Sequence, residues 1–574
     1  MLFGSARPDV NPPTGLTVWE WLFEAKESSS LHHVPSHEIT GYTNAVTKER
    51  INWAQVKEAA TYVSTALVRK YGMQETQTVA LFTQNTVWYP VAMFATIRAG
   101  GKVAGASPAY NVEEMTYALK VSDAKFLITG KASLEVAIAA AKNAGIPQSH
   151  VFLFDGEAEG ITTFKQLQEI GKSYGEEGQI PVYSIPAGKT NTDICGFLNF
   201  SSGTTGLFKA VMLSHYNVIA QCLQMKEITP VEPKTFLAVL PLYHITGLIR
   251  FCTNPIFQND EVILLPQFTM PLVLSAITTY HITELILVPP IAIRFANDPV
   301  VAKHNLSSVK RISCGAAPLS KEVTHSLAAK FPLAGFRQGY GMTESTGCLT
   351  THFPEFYSYD YANTVGNIVP STVIKIIDES GRQLDYNQTG EILARGPQIA
   401  MGYLGNENAT AESFDKDGFF HTGDIGSINE SGLVSIVDRI KEMIKVKGIA
   451  VAPAELEDLL LAHPRVADCA VVGVVDDYAG ERPKAYVVLK EDDDEGGGLP
   501  SRELGLKIMK FVKERKVRFK WVREIEFVHA VPKSPSGKIL RKVLRMQERE
   551  RRESGKVVEG GLIVRDEEGE RARL

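Results

Sequence analysis

The sequence predicts an α/β protein: a large N-terminal unit of helix-covered sheets with a β-rich subdomain, then a small α+β unit. Three observations predict it. From Thr78 to about Gly347, short apolar runs alternate with amphipathic, helix-like stretches. After about Asn363 the texture turns to alternating runs and tight turns. Near Lys441 a second, shorter series of helices and strands begins. A chain of 574 residues also exceeds what one core serves, so several units are expected.

Each element follows from its local pattern. TVALFTQN, KFLITG, VFLFDG, ICGFLNF, FLAVLPLYH, EVILLP, ELILVPP and VKRISCG are short and apolar on both faces. Such runs suit parallel strands buried under helices. STVIKIIDESGRQL reads as a hairpin, with Glu-Ser-Gly between two alternating runs. GEILARGPQIAMGYL and GFFHTGDIGSINESGLVSIVDR continue the β texture. The small unit reads as a helix (APAELEDLLLAH), two strands (ADCAVVGVV, KAYVVLK), a helix (SRELGLKIMKFVKERK) and a strand (REIEFVHAV). The divisions expected are residues 1–440, 441–545 and a charged tail, 546–574. That tail has few apolar anchors, so a fraying helix or no fixed structure is expected.

Bulk properties exclude several classes. Hydrophobic residues make up 44%, charged residues 22%, and the net charge is -5. No electrostatic attraction to nucleic acid follows. No apolar stretch of about 18 residues exists to span a membrane, and MLFGSARPDVNPP lacks the apolar region of a secretory signal. The six cysteines have no metal-ligand spacing and read as reduced thiols. Arg571-Ala572-Arg573-Leu574 resembles the S-K-L peroxisomal address, which an import receptor reads. The peroxisome is therefore expected ahead of the cytosol.

The most informative stretch is FSSGTTGLFKAVMLSH, Phe200 to His215. Ser201, Ser202, Gly203, Thr204, Thr205 and Gly206 offer hydroxyls and close backbone N–H groups to an anion, and Lys209 adds positive charge. The sequence predicts a strand before this loop and a helix after it, whose N-terminus would attract phosphate. Walker A is absent, because Leu207 and Phe208 separate Gly206 from Lys209. The dinucleotide fingerprint fails at Glu344, where a third glycine would stand, and no G-x-S-x-G elbow is present.

Further polar strings follow: LPLYHITG with His244, SCGAAPL, QGYGMTES with Thr343 and Glu344, HTGD ending at Asp424, VDRIKEMIKVKG, and PKSPSGKILRK with Lys538. In this order they resemble the adenylate-forming superfamily, which includes acyl-CoA synthetases, 4-coumarate–CoA ligases, luciferases and peptide-synthetase adenylation domains. GYGMTES, VAPAELE and PKSPSGKILRK are most similar to the 4-coumarate–CoA ligase branch. The resemblance covers about Thr14 to Arg545 and implies a large N-terminal domain and a mobile C-terminal one.

It also implies the chemistry. A carboxylic acid attacks ATP to give acyl-AMP and pyrophosphate, and coenzyme A then takes the acyl group. The Ser201–Gly206 loop would cradle the β- and γ-phosphates, Thr343 would meet the α-phosphate, and Glu344 would hold Mg²⁺. Gly315, Ala316 and Ala317 would wall the adenine, with Gly339 and Tyr340 alongside. Asp424 and Arg439 would take the ribose. Lys538 would be the catalytic lysine of adenylation, Lys441 the hinge, and Lys445, Lys447 and Gly448 would serve thioester formation. His244, Ile245, Thr246, Gly247 and Arg250 would border the acyl pocket, opposite Cys348 and Leu349.

Departures from the family pattern carry their own expectations. Phe208 stands for the usual proline and Ala210 for the usual glycine, so the far end of the loop is expected to sit differently. Thr246-Gly247 stands where plant enzymes carry an aromatic residue, which predicts a roomier pocket. Arg250 is read as facing solvent rather than pairing with a second acid group. The rivals are a ligase that loads a separate carrier protein, luciferase-like oxidation, and a non-catalytic sensor on the same fold.

Overall fold

The computed structural model describes residues 1–201, 208–316, 319, 321–476, 478–490, 499–534, 537–554 and 562–566. Two large sheets form the body. In the eight-stranded sheet, Cys195–Ser201, Lys102–Ala106, Thr78–Phe82, Ala124–Thr129, Val151–Leu153 and Thr162–Thr163 run parallel. Lys209–Ser214 and Gly402–Tyr403 extend one edge antiparallel. In the nine-stranded sheet, Gly335–Tyr340, Arg311–Cys314, Glu284–Leu287, Thr235–Ala238, Glu261–Leu264 and Gly41–Asn44 are parallel. One continuous core joins both sheets, with Trp19, Trp53, Phe94, Phe197 and Phe236 fully buried. Burial on both faces explains why these strands read as unbroken apolar runs.

A five-stranded antiparallel sheet holds Leu2–Gly4, Val373–Ile377, Gly390–Arg395, Phe420–Ile428 and Val434–Arg439. Its own core contains Ile374, Ile376, Ile392 and Val434. The expected 371–384 hairpin is only a tip. Ile377 bridges Gln383, and the ladder partner of Val373–Ile377 is Gly390–Arg395.

The third unit has a six-stranded sheet built on Val466–Asp476 and Gly480–Leu489, with helices Pro453–Leu461 and Arg502–Lys513 beside it. Those two helices and the strands Val466–Asp476, Gly480–Leu489 and Glu524–Phe527 fall where the sequence pattern puts them; the strands Ile444–Val446, Ile449–Val451 and Ile563–Arg565 are additions. Lys484, fully buried, pairs with Glu524 at 2.9 Å and with Glu526 and Glu548 at 2.6 Å. Leaving such a charge unpaired inside would cost several kcal/mol. The unit reaches back to the large one through Asp438, which accepts from the Ala454 N–H at 2.9 Å and so caps a helix start.

The tail expectation needs correction. Residue 545 lies inside the helix Arg541–Ser554. Ile563–Arg565 adds a strand beside Glu524–Phe527. Val564 is buried, Arg565 pairs with Glu524 at 2.9 Å, and Asp566 pairs with Lys513 at 2.8 Å and Arg523 at 2.7 Å. One apolar anchor and complementary charges hold a segment that composition alone reads as loose. Residues 567–574, with the Ala-Arg-Leu end, lie outside the described residues.

Candidate active site

The phosphate loop does not join a strand to a helix. Cys195–Ser201 and Lys209–Ser214 pair antiparallel, with Ser201 opposite Lys209, so the loop closes a hairpin. The helix starts only at His215, where Ser214 and Asn217 form a capping box. KAVMLS reads equally as either element; pairing with ICGFLNF decides for strand. No helix N-terminus stands directly after the loop, contrary to the expectation from sequence. Ser202, Gly203, Thr204, Thr205 and Gly206 lie outside the described residues.

Both ends of the loop are firmly held. Phe208 stacks on Tyr110 with centroids 5.2 Å apart and planes at 3°, meets Tyr117 edge-on at 4.9 Å, and packs on Phe200 at 5.0 Å. Its carbonyl accepts from the Tyr117 hydroxyl at 3.2 Å. An aromatic cluster thus supplies the stiffness that a proline ring would otherwise give. Ala210 lies in the strand opposite Phe200, where alanine suffers no penalty.

Lys209 places its ammonium 4.4 Å from the centroid of the Tyr403 ring. The Tyr403 hydroxyl donates to Glu344 Oε1 at 3.0 Å. One tyrosine therefore sets the distance between a loop cation and the motif carboxylate. Sequence reading passed over Tyr403 because GPQIAMGYL carries no polar signature. Thr343 and Glu344 share a single tight turn, Thr343–Ser345, just beyond the strand that carries Gly339 and Tyr340. Ala316 has φ +73°, a left-handed conformation that costs a non-glycine residue roughly 1–2 kcal/mol. Gly315 precedes it, 3.2 Å from the Gly339 carbonyl at its Cβ position. Ala317 lies outside the described residues.

Asp424 is buried and accepts from the Tyr340 hydroxyl at 2.7 Å, while Arg439 approaches it at 3.2 Å. Burial pushes its pKa up, and Arg439, Tyr340 and Lys538 pull against that. Lys538 comes from the small unit to this same place. Burial, then repulsion by Arg439, lowers its pKa to about 8, against the pull of Glu442 and Asp424. Its loop is seated on the large unit: a Cβ on Gly537 would lie 2.7 Å from Pro290, at a φ of +82°. A cavity of about 410 Å³ opens where the two large sheets' strand ends meet, between Asn85, Ser107, Tyr243 and Val288. Lys533, Ser534 and Gly537 close one side of it. Crevices at strand C-termini are where α/β folds hold ligands.

The remaining expected residues divide. His244 caps the turn Ile245–Gly247, its Nδ1 accepting from the Thr246 N–H at 3.4 Å, and burial lowers its pKa to about 4. Ile245 is buried and Thr246 half-buried. Gly247 is a packing glycine, since a Cβ there would meet the Pro241 carbonyl at 2.3 Å. Leu349 is fully buried in the core of the five-stranded sheet and lines no pocket. Cys348 is half-buried, with its N–H donating to Gln221 at 2.6 Å. Arg250 is half-buried rather than freely solvent-facing. It lies over the Phe236 ring at 5.6 Å, and burial, then Arg337, lowers its pKa to about 10.

Lys445, Lys447 and Gly448 are not brought to this centre. They sit exposed on the hairpin Ile444–Val446/Ile449–Val451, with Lys447 and Gly448 both at positive φ in its two-residue turn. Lys447 lies over the Tyr478 ring at 4.0 Å. Lys441 is on the short turn Ile440–Glu442 between the units.

The five-stranded sheet, the two doubly covered sheets and a lysine delivered by a small third unit define an adenylate-forming architecture. Residues 34–404 match the model of the AMP-binding enzyme family, and residues 455–538 match that of the AMP-binding enzyme C-terminal domain. The chain belongs to the AMP-binding enzyme family. It is 35% identical to the peroxisomal OPC-8:0-CoA ligase 1 of Arabidopsis thaliana, over 88% of this chain and 89% of that one. It is 35% identical to 4-coumarate–CoA ligase 2 of Oryza sativa subsp. japonica, over 95% and 94%. Among solved structures, ATP-bound MatB from Rhodopseudomonas palustris superposes with a TM-score of 0.80 at 25% identity, covering 93% and 99%.

Proposed function

We propose that this enzyme is an AMP-forming acid–CoA ligase and that the described arrangement is its adenylation state. The observation that carries the second point is the meeting of Lys538, from the small unit, with Asp424 and Arg439 on the five-stranded sheet.

The first step brings two anions together, a substrate carboxylate and the ATP α-phosphate. Lys538 offsets their repulsion, and its charge is positioned before reaction, so no reorganisation is needed at the transition state. Asp424, fixed by Tyr340 and Arg439, accepts from the ribose hydroxyls. Lys209 and the 201–206 loop hold the phosphates that leave as pyrophosphate, and Thr343 donates to the one that stays. Adenine lies against Gly315–Ala317 beside Gly339, where small side chains permit flat contact. His244, neutral near pH 7, borders the acid without adding charge.

Among the described residues no group of three or more acidic, histidine or cysteine side chains could hold a metal ion. The donor set fits Mg²⁺ all the same, because that ion keeps waters and phosphate oxygens and needs only one or two carboxylates. Glu344 would hold it, and it would supply charge neutralisation to the triphosphate.

In the second step the thiol of coenzyme A attacks the acyl carbon and AMP leaves. The small unit, from residue 441, turns about Lys441 and exchanges Lys538 for Lys445, Lys447 and Gly448. Peroxisomal residence is the finer reading of location, since one relative carries that compartment in its name. A fluorescent fusion ending in residues 567–574, compared with one lacking the last three, tests it.

The test of the activity is incubation with ATP, Mg²⁺ and a panel of acids, with and without coenzyme A, products being read by mass spectrometry. Acyl-CoA with AMP supports the ligase. Acyl-AMP that persists with coenzyme A present points to a carrier-protein acceptor instead. No adenylate from any acid leaves the sensor reading.

A further inference from the structure

Arg250 lies on the segment Leu248–Thr253, which is wound as a π-turn directly after the His244 turn. Such over-wound turns recur at functional sites. The guanidinium rests on the Phe236 ring. Among the described residues it makes no hydrogen bond and has no carboxylate within ion-pair distance, although part of its surface stays accessible. The nearby acids are committed elsewhere: Glu284 pairs with Arg311, and Asp260 with Lys234. The neighbouring Arg337 is buried and donates to Ser313 Oγ at 2.6 Å and Tyr357 Oη at 2.7 Å, again without a carboxylate. The two guanidiniums are close enough to repel, and the acid that acts on Arg250, Glu284, is itself held by Arg311.

Their place in the fold says what faces them. The turn that carries Thr343 and Glu344 continues to Gly347 and Cys348. A Cβ on Gly347 would lie 3.9 Å from Ile249 and 3.5 Å from Gln221. The turn that carries Thr343 and Glu344 therefore packs close to the π-turn at Gly347. Cys348 feels both Arg250 and Arg337. A half-buried guanidinium without a partner is costly unless an anion completes it. Planar guanidinium takes carboxylate in two parallel hydrogen bonds, which makes a carboxylate the fitting anion.

Resting on the ligase reading above, we propose that the acid activated here is a dicarboxylic acid, whose far carboxylate is bound by Arg250 while Arg337 keeps the slot's end positive. Arg250 is then a specificity-determining residue and Arg337 a positioning one.

The test compares α,ω-dicarboxylic acids of graded length with their monomethyl esters and with monoacids of equal length, on the wild-type enzyme, by acyl-AMP and acyl-CoA formation. A diacid of one length should exceed its monomethyl ester in kcat/KM by roughly 10- to 100-fold, the worth of one charge-assisted contact. Arg250→Gln should collapse that preference to near unity, chiefly by raising the diacid's KM, and Arg250→Lys should restore part of it. A wild-type enzyme that favours monoacids or esters over every diacid overturns the proposal. So does an Arg250→Gln variant that loses diacid and monoacid activity in equal proportion. The ester comparison needs no variant, so a misfolded substitution leaves the test intact. Failure of the ligase reading itself looks different: no adenylate forms from any acid, monoacids included.

Discussion

On the function proposed above, Lys538 is the residue on which adenylation turns, and its surroundings make a pH prediction. Burial and Arg439 lower its pKa to about 8, so the amine loses its proton in mildly alkaline solution. The charged form is the useful one, so kcat/KM for acid-dependent ATP–pyrophosphate exchange should fall as pH rises through about 8. Lys538→Arg should move that limb upward; a limb unmoved by this change would assign it to another group. Tyr403 makes a second prediction. Tyr403→Phe keeps the ring under Lys209 and removes the hydroxyl from Glu344. Losing a hydrogen bond to a carboxylate costs about 1.5–3 kcal/mol, so adenylation should slow roughly tenfold or more, with the KM for MgATP carrying part of the change. An unchanged rate in stopped-flow would show that Glu344 needs no such support. The polar residues of this centre were legible in sequence because Asp424, Lys538 and Glu344 sit in short strings of unusual chemistry. Tyr403 and Arg337 were not, since a lone aromatic or arginine in a strand has an ordinary structural use.

The hairpin that carries the phosphate loop shows where local pattern reached its limit. KAVMLSH is compatible with a helix start, and only its pairing with Cys195–Ser201 makes it a strand. That pairing is a tertiary fact, invisible to a local window. The cluster of Phe200, Phe208, Tyr110 and Tyr117 is invisible for the same reason, since its members come from three separate segments. Aromatic pairs of this kind contribute about 0.5–1.5 kcal/mol each beyond burial. Phe208→Ala should therefore raise the KM for ATP about tenfold while thermal stability drops by about 2–3 kcal/mol. An unchanged KM for ATP in a folded variant would mean the cluster supports the fold and not the loop. The strand Ile563–Arg565 makes the same point: one buried valine and two ion-paired ends order a segment whose composition is that of a solvated tail.

Taken whole, the molecule presents one of its two expected catalytic faces. Lys538 is at the centre, and Lys445 and Lys447 are exposed on a hairpin of the same small unit. A single rigid arrangement cannot serve both, so the two half-reactions should separate by mutation. Lys445→Ala with Lys447→Ala should leave acyl-AMP formation within about threefold of wild type and slow acyl transfer to coenzyme A by tenfold or more. Equal losses in both halves would argue against an exchange of faces. The broad division into a parallel-sheet body, an antiparallel sheet and a small terminal unit was readable from hydrophobic period alone. The junction was not readable so finely, because Asp438 knits the units together across it, accepting from the Ala454 N–H.

The most direct measurement is single-turnover kinetics of Lys538→Ala in each half-reaction, using an acid that the wild-type enzyme activates. Loss of one electrostatic donor of this kind costs about 3–4 kcal/mol. Acyl-AMP formation should fall by roughly 100- to 1,000-fold, while transfer of the acyl group from supplied acyl-AMP to coenzyme A stays near the wild-type rate. Retained adenylation, or equal collapse of both halves, would contradict the placement of Lys538 as the group that reconciles the two anions.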